Sequence, residues 1–85
     1  MRYQLILLER ARRELAALSA KARERITTKI LLLGDDPRPP GNKKLKGRDD
    51  QYRIRVGDYR VIYSIEDAAL LVTVLVIGQR GGVYD

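Results

Sequence analysis

The chain has 85 residues, enough for one domain and not for two, with a net charge of +6, an isoelectric point of about 10.0 and neither cysteine nor histidine. That composition excludes a disulfide framework, a cysteine-based metal site, and the commonest general base and metal ligand. It favours an anionic partner, nucleic acid first, and allows only a modest core, burying about 60–65% of the surface the unfolded chain exposes.

The apolar stretch from Leu5 to Leu8 is too short for a signal peptide and runs into Glu9 and Arg10. The longest apolar run, residues 68–77, is about half a membrane span. A cytoplasmic protein with no membrane association is the simplest expectation. The positive charge is uneven. Residues 1–34 hold eight basic and three acidic side chains, residues 43–60 hold seven and three, and residues 61–85 hold one and three.

Residues 2–8 alternate as a strand, with Tyr3, Leu5 and Leu7 on one side. From Glu9 the period becomes helical through Ala11, Leu15 and Leu18. Ser19 breaks that helix and caps a second one, whose apolar stripe is Ala22, Ile26, Ile30 and Leu33. The two helices read as an antiparallel hairpin, and Gly34 is expected to supply a left-handed C-cap. Residues 35–47, DDPRPPGNKKLKG, read as a loop, because three prolines and two glycines oppose regular structure. Leu45 is its one large apolar residue, expected to be an anchor under the domain.

Strands are expected over 51–56 and 59–65, joined by the two-residue turn Gly57-Asp58, and over 69–77. The last is apolar on both faces and is placed centrally in the sheet. No repeat, linker or low-complexity segment divides residues 1–85. The expected architecture is a single α+β domain of order β-α-α-β-β-β, with a helical hairpin on a small, mostly antiparallel sheet.

The segment YRIRVGDYRVIY, residues 52–63, carries the chemistry. Strand alternation puts Arg53 and Arg55 on one face, and the Gly57-Asp58 turn pairs Arg55 with Arg60. Opposed like charges cost about 0.2–1 kcal/mol per pair. The planar donor fork of arginine matches phosphate oxygens, so an anion site accounts for the arrangement better than a solvated strand face. Lys43, Lys44, Lys46 and Arg48 lead into this strand. Arg80 follows the last strand, and Tyr84 lies four residues further on.

With the "KKLKG" loop, "YRIRVGDYRVIY" and the closing "VLVIGQRGGVY", the chain resembles the RelE/ParE superfamily of toxin–antitoxin toxins, the RelE branch most closely. The resemblance spans nearly the whole sequence. It implies an mRNA interferase that enters the ribosomal A site and cuts the exposed codon by attack of the RNA's own 2′-OH on the adjacent phosphate.

By the same resemblance, Arg53 and Arg55 stand where relatives have basic residues, often lysines, and Arg55 occupies the position that assists deprotonation of the 2′-OH. Arg60 stabilises charge on the phosphate, Arg80 acts as acid or phosphate clamp, and Tyr84 orients or stacks on the substrate. No cofactor or metal is implied. A guanidinium group does not work as a general base. Arg55 therefore acts by charge, or Lys46 or Tyr84 takes the proton. Gln79 stands where many relatives have a polar or basic residue, often histidine, and the sequence stops one residue after Tyr84.

The helical basic block, including Arg12, Arg13, Arg23 and Arg25, reads either as solvated surface or as a contact for ribosomal RNA phosphates. Two rival readings stand beside the nuclease: inhibition of DNA gyrase, as in the ParE branch, and a catalytically weak homologue that acts through antitoxin binding. All three imply a cognate antitoxin, a hetero-oligomeric complex, and an antitoxin that covers or distorts the arginine face or displaces Tyr84. The nuclease reading adds the ribosome and mRNA as partners.

Overall fold

The computed structural model describes residues 2–79. The elements are β1 (Gln4–Leu7), α1 (Glu9–Ala16), α2 (Ala20–Leu33), β2 (Lys43–Lys44), β3 (Gln51–Val56), β4 (Tyr59–Glu66), a 3₁₀ turn (Asp67–Ala69) and β5 (Leu71–Gln79). The sheet order is β1-β5-β4-β3-β2. Only the β1–β5 pair is parallel.

Both helices lie on one face of the sheet. Ala11 of α1 and Ile26, Ile30 and Leu33 of α2 form a single core with Ile54, Val56, Val61, Tyr63, Ile65, Val72, Val74 and Ile77. The helical spacing of the apolar residues thus meets the alternate residues of three strands. The helix break at Ser19 forms as expected. Its backbone is extended, and its hydroxyl accepts from the Ala22 amide at 3.2 Å.

Four local expectations are corrected. Gly34 is right-handed at φ −66°, not a left-handed cap. Its amide instead donates to Leu31 O at 3.1 Å. Glycine is needed there for closeness: a Cβ would meet the carbonyl oxygens of Leu31 and Tyr3 at 3.3 Å, where Gly34 O accepts from the Tyr3 amide. The 35–47 segment is not wholly irregular, since Lys43 and Lys44 pair with Arg53 and Tyr52. Leu45 is half-buried and lines a surface groove rather than entering the core. The last strand is interior, between β1 and β4, but not central; β4 holds the middle because β2 extends the sheet beyond β3.

β5 also carries a bulge. Ile62 pairs with Val76 and Tyr63 with Val74, which leaves Leu75 extra. The bulge turns Ile77 into the core and Val76 to the opposite face, so the apolar run serves both faces. The Ile77 amide points past the end of β1 and donates to Glu14 Oε1 of α1 at 2.9 Å.

Candidate functional site

The β3–β4 hairpin builds the site. Gly57 has φ +61° and is the only central turn residue with positive φ, the pattern of a type II′ turn. The resulting register sets Arg55 opposite Arg60 and Arg53 opposite Ile62. On the other flank of β4, Gly78 lies beside Arg60, where no side chain competes for the face. Arg53, Arg55 and Arg60 thus share the face turned away from the helices.

Their burial differs. Arg55 is exposed, whereas Arg53 and Arg60 keep only 6% and 3% of their surface. Arg53 Nη1 finds no hydrogen-bond acceptor among the described residues. A buried donor left unpaired costs about 1–3 kcal/mol, more when charged, and an anion reaching it would recover that cost.

β2 brings the lysine loop to the same place. Lys43 pairs directly with Arg53. A groove of about 390 Å³ is lined by Lys43, Lys44, Leu45, Lys46, Arg53 and Arg55. Five cations and no carboxylate face this space, so its field is strongly positive. Arg48 is exposed in the turn before β3 and does not line the groove. Arg80 and Tyr84 lie outside the described residues.

The helical arginines are divided. Arg12 and Arg13 approach Glu9 at 3.9 and 3.3 Å. Arg23 donates to the carbonyls of Ala16 and Leu18, both at 3.2 Å, and so caps the end of α1. These three line a separate groove with Glu9, Leu15 and Ala16. Arg25 alone of the four lies near the hairpin, with its guanidinium against Gly57.

Sequence reasoning missed the network that holds the lysine loop. Arg38 donates to both carboxylate oxygens of Asp67, at 3.2 and 2.9 Å, and lies 5.1 Å from the centroid of the Tyr52 ring. Tyr52 stacks on Tyr63 at 6.0 Å, and the Tyr63 hydroxyl donates to Pro37 O at 2.7 Å. Tyr3 donates to Asp67 as well, at 2.6 Å. Hydrogen bonds from Arg38, then from Tyr3, hold the Asp67 carboxyl down at about 2. Burial pushes the Tyr63 phenol up to about 12. An available signal was the arginine between two prolines, whose neighbours have restricted backbones.

Among the described residues no group of three or more Asp, Glu, His or Cys side chains is placed to hold a metal ion. No helix among them is long and apolar enough to cross a membrane.

The family model for the ParE toxin of type II toxin–antitoxin systems, parDE, matches residues 5–84. The chain is 34% identical over 82 residues to the mRNA interferase toxin RelE of Escherichia coli strain K12, covering 94% of this chain and 85% of that protein. It superposes on the archaeal RelE–RelB complex of Pyrococcus horikoshii OT3 with a TM-score of 0.85 and 30% identity, covering 98% of this chain and 100% of that one. Against the intact E. coli RelBE toxin–antitoxin complex the TM-score is 0.80 at 32% identity, covering 91% of this chain and 95% of the other. The arginine hairpin, the lysine groove beside it and these likenesses agree: the chain belongs to the RelE/ParE superfamily of type II toxin–antitoxin toxins, on the RelE side.

Proposed function

We propose that the chain is a ribosome-dependent endoribonuclease that cuts mRNA in the A site and so arrests translation. The observation that carries this reading is the acid-free groove of Lys43, Lys44, Lys46, Arg53 and Arg55, with Arg60 opposite Arg55. In the reaction the RNA 2′-oxygen attacks the neighbouring phosphorus and the bond to the 5′-oxygen breaks. The products are a 2′,3′-cyclic phosphate and a 5′-hydroxyl. The attacking hydroxyl gives up a proton, and the departing oxygen gains one.

Negative charge builds on the phosphate oxygens in the transition state, where preorganised guanidinium groups stabilise it. Arg53, Arg55 and Arg60 take that role. Arg55 acts by charge, favouring the ionised 2′-oxygen so that its proton passes to water, Lys46 adds to the same field, and the resemblance adds Arg80 as acid or phosphate clamp and Tyr84 as substrate-orienting group. The nucleophile belongs to the RNA, so no metal-activated water enters the chemistry. The partners in this reading are the ribosome, mRNA and, as in the RelE–RelB complexes, an antitoxin that binds the toxin in a hetero-oligomer within the cytoplasm.

A second reading, inhibition of DNA gyrase, is favoured by the ParE family match. Primer extension on programmed ribosomes separates the two. A-site cuts that require ribosomes and fall about 10²-fold in Arg55→Gln, the scale of one lost transition-state donor, support the nuclease. Intact mRNA together with blocked DNA supercoiling would replace it with the gyrase reading.

A further inference from the structure

Arg55 belongs to two surfaces. On the sheet face it closes the lysine groove. Around the edge of β3 it lines a second groove, of about 450 Å³, with Glu24, Arg25, Thr28 and Lys29 of α2 and the hairpin turn at Gly57. Lys29 and Arg55 also share the wall of an adjoining space of about 290 Å³ beside Pro39 and Pro40. The two surfaces are therefore joined at one exposed guanidinium group.

The α2 groove differs from the other basic helix surfaces. Arg10, Arg12 and Arg13 meet Glu9 or Glu14, and Arg23 is spent on backbone carbonyls. Among the described residues Arg25 and Lys29 form no ion pair, though both are exposed. They stand one helical turn apart, where like charges repel. Arg25 lies against the turn: a Cβ on Gly57 would come within 3.1 Å of Nη2 and 3.3 Å of Nη1. Glu24 is the only acid in the lining. No aromatic ring lines the groove, so it offers charge without a stacking platform.

We propose that this groove is a second phosphate-backbone site for the same single-stranded RNA that occupies the reaction groove. The strand crosses the sheet edge over Arg55 and sets its following phosphates between Arg25 and Lys29. The site supplies affinity and register, not base choice. The proposal rests on the nuclease reading for the identity of the strand, but its test does not depend on cleavage.

The test uses the full chain and 2′-O-methyl RNA, which lacks the attacking hydroxyl, as a three-nucleotide and a nine-nucleotide strand. Binding is measured by fluorescence anisotropy across a salt series. The wild type is expected to bind the longer strand more tightly and with a steeper salt slope. Arg25→Gln/Lys29→Gln is expected to bind the short strand like the wild type and to lose the gain with length. Its slope for the long strand should be shallower by about 1.4, for two phosphates at roughly 0.7 each. Glu24→Gln should tighten the long strand only.

A double variant with wild-type affinity and slope for the long strand would overturn the proposal. So would one that loses affinity for ribosomes alone, which would assign the groove to ribosomal RNA, or for an acidic antitoxin segment alone. If the wild type cuts no mRNA yet shows the length gain and its loss, the nuclease reading fails and the α2 site stands.

Discussion

Arg55 and Arg60 face each other across the β3–β4 pair, two like charges at directly opposed positions of one sheet face. Folding brings them together through a two-residue turn, and nothing in the register allows them apart. The repulsion is a folding cost of the site rather than a defect of the strand.

Replacing the exposed member should therefore stabilise the protein while disabling it. Arg55→Gln is expected to gain about 0.2–1 kcal/mol in urea denaturation, the size of a relieved cross-strand repulsion. The same variant should lose about 10²-fold in cleavage. A variant that is both less stable and inactive would assign Arg55 a structural role.

Anions should act on the wild type more than on that variant. Binding to the folded state stabilises by mass action. Raising inorganic phosphate at constant ionic strength should raise the melting temperature of the wild type, and less so that of Arg55→Gln. Equal shifts in both proteins would mean that the arginine face holds no phosphate.

The turn that aligns the arginines tolerates little change. Gly57 has a positive φ, and a Cβ there would meet the Arg25 guanidinium at 3.1 Å. Gly57→Ala should cost about 1–2 kcal/mol from the left-handed backbone alone. Thermal denaturation would measure it, and a neutral result would show that the hairpin relaxes to another turn.

The staple under the lysine loop gives an acid-limb signature. The Asp67 carboxyl lies at about 2 in the folded chain because Arg38 and Tyr3 donate to it. A depressed carboxyl contributes its full stability above its ordinary value near 3.8 and loses it as pH falls towards 2. The melting temperature should drop through that window, and the drop should be smaller in Asp67→Asn. Both partners are well exposed, so the effect is modest.

Tyr63 answers at the alkaline end and in neutral solution. Its phenol, pushed up to about 12 by burial, stabilises the fold fully below the ordinary value of 10.0 and loses that contribution as pH rises between the two. Tyr63→Phe removes this alkaline limb. It also leaves Pro37 O without its donor, a cost of about 1–3 kcal/mol for a buried acceptor, measurable by urea denaturation at neutral pH.

Local signals were enough for much of this molecule. The switch from period two to helical period at Glu9, the break at Ser19 and the turn at Gly57-Asp58 each depend on a few adjacent residues, and all three form where the sequence places them. The pairing of Arg55 with Arg60 follows from that turn, because a two-residue hairpin leaves one register. The charge of the site was legible for the same reason.

Contacts between distant segments could not be read this way. The strand at Lys43–Lys44 exists only because β3 offers an edge, and position 34 needs glycine because the Tyr3 carbonyl passes too close for a side chain. The Ile77 amide, left beyond the end of β1, needs α1 to supply Glu14 as its acceptor. Arg25 and Lys29 were one part of a long basic block until α2 packed beside the β3 edge and set them next to Arg55. Sequence alone determined the elements, the arginine register and the sign of the field, since short-range stereochemistry and alternation govern those. Only the tertiary structure decided which cations share a groove, because that depends on how helices and strands far apart in the chain bury a common core.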